Sequence, residues 1–253
     1  MPLEAEAVAA MTQAFRVMEA KVAPPQKVPH KDSFVFRYAN KGIHEAILQK
    51  LARSISGLNA VSVLLHAGFV QEVGVLFRTL DEIQEDIIFL ATAETNNART
   101  DRHEKFLEAF YSDAVFSRPD GSFEIPKPNL VPRKKIRAHT MAVLGEGVNV
   151  SQALAAGEAV GAAYSGYVHA SSEAIMDMCG GDPPCFYVDG MRGTPRIATF
   201  ARDAGNYIYR GLMATLTAAK AFGDVALVEA LYTFMGKYES ANGHDVLKRR
   251  SKA

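Results

Sequence analysis

The sequence lacks most features that assign a function on sight. It has only two cysteines, Cys179 and Cys185. Two thiols are too few for a disulfide framework, and their C-x5-C spacing has no nearby histidine to complete a metal site. They read as reduced thiols. No apolar run approaches about 18 residues, so no membrane span and no membrane partner are expected. The N-terminal stretch MPLEAEAVAAMTQAF has two acids before any base and no unbroken apolar core, unlike a secretion signal. A cytoplasmic location is the expectation. Lys plus Arg and Asp plus Glu both number 28, so no net field draws the chain to nucleic acid. Neither a G-x-x-x-x-G-K-[ST] loop, a G-x-G-x-x-G turn after a strand, a zinc finger nor an RNA-recognition motif occurs, and no cofactor is expected. Alternating strand-like segments are scarce, and no period of about 20–50 residues repeats.

What the chain does have is one dominant helical stretch, Phe69 to Glu94. Phe69, Val73, Leu76, Leu80, Ile83, Ile87 and Leu90 recur in steps of four and three and share one stripe. Val70, Phe77 and Ile88 widen it, and Val75 and Phe89 lie almost behind it. A helix apolar around most of its circumference belongs at the centre of a fold. The same helix carries Arg78, Asp81, Glu82, Glu85 and Asp86, which sets burial against charge.

Other helices follow in order. Leu3 to Val22 forms a first one. Ala23 to Asp32, with Pro24, Pro25 and Pro29, reads as a linker. Tyr38 to Ala67 forms a second helix with Leu48, Leu51, Ile55, Leu58 and Leu65 inward. Gly68 then supplies the left-handed residue that ends it and starts an antiparallel pair. Thr100 to Ser117 is a shorter helix. Residues 118–133 hold four prolines and form a loop. Arg133 to Leu144 is a short basic helix with a solvated face. Ser151 is placed to cap a small-residue helix running to Met178, which should be central because close packing must compensate its glycines. Gly180 to Pro195 is a second loop, with a hairpin or flap at Phe186–Gly190. Arg196 to Phe222 and Val225 to Tyr238 complete the bundle, with Gly223 as breaker and Asp224 as cap. The tail from Ser240 reads as frayed and basic.

The resulting fold class is all-α: a single helical bundle of about seven or eight helices with mostly antiparallel neighbours and two long irregular loops. Residues 1–33 are the first helix and linker, 34–243 the bundle, and 244–253 the basic tail. If the long helices alternate in direction, the two loops emerge at one end and roof a pocket.

Two patches are candidates for chemistry. Arg78 and Glu82, four apart, share a helix face. At the surface such a pair contributes only about 0.2–0.5 kcal/mol, but inside a bundle the guanidinium demands partners. Asp81, Glu82, Glu85 and Asp86 invite a metal reading. The Glu-x-x-His motifs of helical di-metal sites are missing, so no metal is assigned and the acids read as a solvated face. In the second patch, Tyr164 to Ser171, the residues Ser165, His169 and Glu173 share one helix face. They have the composition of a nucleophile, base and orienter, without a nucleophile elbow or oxyanion loop.

The run Gly68-x8-Phe77-Arg78-Thr79-Leu80-x-Glu82, followed much later by Tyr164-Ser165-x-x-x-His169-x-Ser171, resembles a bacterial family of helical proteins catalogued as a domain of unknown function. The resemblance covers roughly residues 40 to 220. It implies that Arg78, Glu82 and His169 meet in space. More remotely the helical layout is similar to the HEPN superfamily, whose ribonucleases carry Arg-x4–6-His on one helix. Here Arg99 and His103 have three residues between them and fall in a turn.

The sequence thus supports a binding or interaction protein with a structural polar cluster, in which a homo-oligomer is expected from the detached first helix. The second reading is a phage-defence-type hydrolase or ribonuclease, with His169 as acid–base and Arg78 stabilising negative charge. The third is a small-molecule pocket between helices, with Arg78, Glu82, Tyr164, Ser165 and His169 as ligand contacts. RNA would require a basic groove at Arg133, Lys134, Lys135 and Arg137.

Overall fold

The computed structural model describes residues 3–30, 32–112, 116–117, 123–124, 130–144 and 150–242. Among them nine helices and three antiparallel strand pairs form, and the fold is an all-α bundle. Helix α1 (Leu3–Glu19) leads into strands β1 (Gln26–His30) and β2 (Ser33–Arg37). The long pair α2 (Ile43–Ala67) and α3 (Val70–Thr95) follows, then α4 (Asp101–Phe110). Strands β3 (Phe116–Ser117) and β4 (Phe123–Glu124) precede α5 (Arg133–Leu144) and α6 (Val150–Val168). The one-turn helix α7 (Ser172–Met176), strands β5 (Cys179–Gly180) and β6 (Cys185–Phe186), and helices α8 (Pro195–Ala221) and α9 (Val225–Asn242) complete the chain.

The centre is α3, packed against α2, α6 and α8. Val73, Phe77, Leu80, Ile87, Phe89 and Leu90 of α3 are fully enclosed, as a helix apolar around most of its circumference requires. Gly68 ends α2 with φ 89°, and its N–H reaches the carbonyls of Leu64 and Leu65. Its carbonyl accepts Met191 N–H at 2.8 Å, and a Cβ here would come within 2.8 Å of the Met191 and Arg192 backbone nitrogens. One glycine therefore makes the α2–α3 turn and seats the segment before α8. Gly211 plays a packing role on α8, where a Cβ would meet Leu58 at 3.0 Å and the Met11 sulfur at 3.1 Å. Asp224 accepts Leu227 N–H at 2.9 Å at the start of α9.

The structure departs from the sequence reading in several places. Residues 26–30 pair with 33–37 as antiparallel strands where a linker was expected, because Pro29 is compatible with an edge strand. Helix α1 is not detached: Ala7, Met11, Ala14 and Met18 are buried in the main core. Helix α4 ends at Phe110. Ser151 lies inside α6, and the helix expected to run to Met178 breaks at Ala170, with φ 50°. Helix α6 is peripheral, since Val160, Ala162, Ala163 and Val168 are exposed. The small hairpin of the second loop pairs Cys179 with Phe186 and Gly180 with Cys185, earlier than expected. The described ends of the two loops lie apart. Leu130–Pro132 border a cavity beside Lys50 and Asp86, whereas Met191 meets Gly68. Lys50 and Gly68 stand about 27 Å apart along the helix direction, at 1.5 Å per residue. The tail beyond Asn242 and most of the first loop lie outside the described residues.

Candidate functional site

The acids of α3 are enclosed by bases from three other helices. Asp81, Glu85 and Asp86 are all buried, so the solvated face read from the sequence is corrected. Asp81 pairs with Arg210 of α8. Glu85 accepts from Arg133 Nη2 at 2.7 Å and from Arg137 Nε at 2.8 Å, both on α5. Asp86 accepts from Arg133 Nη1 and from Lys50 Nζ of α2, the latter at 2.8 Å. Lys50 also sits over the Phe106 and Phe110 rings, at 5.3 and 4.8 Å. The basic helix 133–144 is solvated only in part: Lys134 and Lys135 are exposed, whereas Arg137 is buried and Arg133 half-buried. Burial works against the Arg133 charge, but Asp86 and Glu85 outweigh it and hold the guanidinium above its ordinary pKa. Arg210 behaves in the same way beside Asp81. The signal for this network was the four-residue spacing of Arg133 and Arg137 against the adjacent acids Glu85 and Asp86.

Arg78 and Glu82 do pair, at 2.6 Å, with side chains 26% and 40% exposed. His169 follows α6 and is exposed; its backbone N–H donates to the Ser165 carbonyl at 3.1 Å. No hydrogen bond or ion pair among the described residues joins it to Arg78 or Glu82. Ser171 caps α7 by accepting Ala174 N–H, and its own N–H donates to the Gly166 carbonyl at 2.9 Å. The Ser-x-x-x-His-x-Ser run is thus a helix terminus and cap. Because the helix breaks there, Ser165, His169 and Glu173 do not share one helix face. Tyr164 belongs to an aromatic cluster. Its ring lies 5.2 Å from Phe77, and its hydroxyl donates to Asp203 at 2.7 Å. Burial first, then Asp203, pushes this phenol's pKa up.

A histidine pair escaped the sequence reading. His103 is fully buried, stacked on Phe89 at 4.2 Å, with the His139 ring 5.3 Å away. Its Nδ1 accepts the Thr100 N–H at 3.0 Å. Burial, then His139, lowers the pKa of His103 below 6.5; burial, then Arg102, does the same to His139. Between these lowered values and 6.5 the unfolded chain holds more protons than the native one. Stability is therefore full above pH 6.5 and is lost as pH falls through the native pKa values. Melting temperature measured across this range should drop on acidification, and His103→Gln should flatten the slope. A wild-type profile flat below pH 6.5 would contradict the assignment.

A large open space lies elsewhere. A groove of about 950 Å³ runs between α1, α2 and α8, bordered by Arg192 and Gly193. Its walls include Val8, Leu58, Val61, Leu65, Ile197 and Ile208. Its rim carries His66, Arg192 and Arg16, the last paired with Glu19 at 2.6 Å, and one lining acid, Glu4. None of the residues proposed from the sequence lines it. The groove depends on where three helices cross, so no local motif announces it. Among the described residues no group of three His, Cys, Asp or Glu side chains is placed to hold a metal ion, and no helix is long and apolar enough to cross a membrane.

The chain matches no known family model, no curated protein and no solved structure.

Proposed function

We propose that this protein binds an elongated amphiphile, an apolar chain ending in a carboxylate or phosphate, in the groove between α1, α2 and α8. The observation that carries this reading is the groove itself: about 950 Å³, apolar along its walls, with Arg192, His66 and the Glu19-paired Arg16 at its rim. That volume lies within the range of about 300–1,000 Å³ typical of ligand sites. The basic rim suits an anionic head group, while the walls suit hydrocarbon. Binding is favoured over hydrolysis because His169 is exposed and Arg78 already pairs with Glu82, so the two do not form an acid–base pair.

Titration with a fluorescent long-chain fatty acid tests the proposal. Saturable binding is expected for the wild type. Ala201 lines the groove and is exposed, so Ala201→Trp should fill it without disturbing the core. The expected loss of affinity is about tenfold or more, because the indole occupies ligand space. Arg192→Ala should weaken binding less, in a salt-dependent way. Absence of saturable binding, or wild-type affinity in Ala201→Trp, would refute the assignment.

A further inference from the structure

The β1–β2 hairpin is exposed along nearly all of both strands. All its residues are exposed except Val35, which is half-buried. Phe34 and Phe36 stack edge to face at 5.5 Å on one of its faces and remain about half exposed, at 48% and 55%. A lone two-stranded hairpin is marginal in water, and one presenting two phenyl rings calls for a partner.

Its two edges differ. The register pairs Gln26 with Arg37, Lys27 with Phe36, Val28 with Val35, Pro29 with Phe34 and His30 with Ser33. Antiparallel pairs alternate between those that exchange two hydrogen bonds and those that exchange none. Pro29 has no N–H, so Pro29–Phe34 must be of the second kind, and Lys27–Phe36 with it. The backbone groups of those four residues therefore point outward. On β1 the outward edge holds a proline and a lysine, both of which discourage strand addition. On β2 it presents the N–H and C=O of Phe34 and Phe36. The Phe36 carbonyl accepts from the Arg37 guanidinium of the same strand at 2.9 Å, a bond that a pairing strand would replace.

We propose that the free edge of β2 pairs with β2 of a second copy of this chain, antiparallel and centred on Val35. In that register Phe34 faces Phe36 of the other copy, and the outward groups exchange hydrogen bonds at both positions. The four phenyl rings meet on one face of a four-stranded sheet. Arg37 faces Ser33, so no like charges oppose each other, whereas a strand of another protein would have to supply that aromatic match. The surface is self-complementary about a two-fold axis, as a closed dimer requires. The interface is at the small end of the range, so the dimer should be concentration-dependent. The inference is independent of the groove.

Disulfide trapping tests it, in a chain where Cys179 and Cys185, both free, are replaced by serine. A non-hydrogen-bonded antiparallel pair brings Cα atoms to about 4.5 Å, within disulfide reach. Val35→Cys should therefore convert to covalent dimer under mild oxidation. Val28→Cys should not, since three strand spacings separate the two copies of that residue by about 14 Å. Adding Phe36→Pro to Val35→Cys leaves the β1–β2 ladder intact but removes an outward donor from each copy. Cross-linking should slow by about tenfold or more. Equal cross-linking of the Val35 and Val28 variants, no Val35 dimer, or indifference to Phe36→Pro would overturn the proposal.

Discussion

Glu85→Ala is expected to destabilise the protein by about 3–5 kcal/mol, because it leaves buried guanidinium groups without their carboxylate. Glu85 is the acceptor shared by Arg133 and Arg137. Arg133 keeps Asp86 and partial access to water. Arg137 is buried on α5, and Glu85 is its ion-pair partner. For a chain of this size the melting temperature should fall by roughly 10 °C. Glu85→Gln, which retains one acceptor oxygen, should fall in between. Glu82→Ala is the internal control: its pair with Arg78 is partly exposed, and such pairs contribute about 0–1 kcal/mol. Calorimetry of the three variants decides the matter. If Glu85→Ala melts like Glu82→Ala, the α3–α5 network is not a buried one.

Phe77→Ala should cost about 3–5 kcal/mol by opening a cavity where three helices meet. The Phe77 ring is fully buried. It lies parallel to Tyr207 of α8 at 4.3 Å and edge-on to Tyr164 of α6 at 5.2 Å, with Phe200 stacked 6.1 Å away. Removing it takes away the surface on which both tyrosines rest. Urea denaturation gives the magnitude. Near-ultraviolet dichroism gives the local effect, because the chain has no tryptophan and its nine tyrosines dominate that signal. A loss below about 1 kcal/mol, outside the range for core phenylalanines, would mean the cluster repacks freely.

The burial of α3 was legible in part because the period of its apolar residues is a local property: Val73, Leu80, Ile87 and Leu90 of the stripe are buried, whereas Leu76 and Ile83 are half-buried and Phe69 is exposed. The Gly68 turn and the Asp224 cap were legible for the same reason: each depends on residues within a few positions. The hairpin at 26–37 was missed because Pro29 reads as a breaker unless its edge position is known. His103 and His139 are ordinary in sequence, and only the packing of α4 and α5 on Phe89 brings their rings together.

The sequence by itself determined an all-helical bundle, its central helix and the glycine turn that folds α2 onto α3. Only the tertiary structure decided that the acids of α3 are enclosed, that the Arg78–Glu82 side-chain pair lies outside the ion pairs of Glu85 and Asp86, and that an apolar groove lies between α1, α2 and α8. Periodicity registers which side of a helix is apolar. It carries no record of which distant residue faces a charge, and Asp86 meets Arg133 across 47 positions while Asp81 meets Arg210 across 129. Pairings of that range follow from how the helices cross, which is a property of the packed chain.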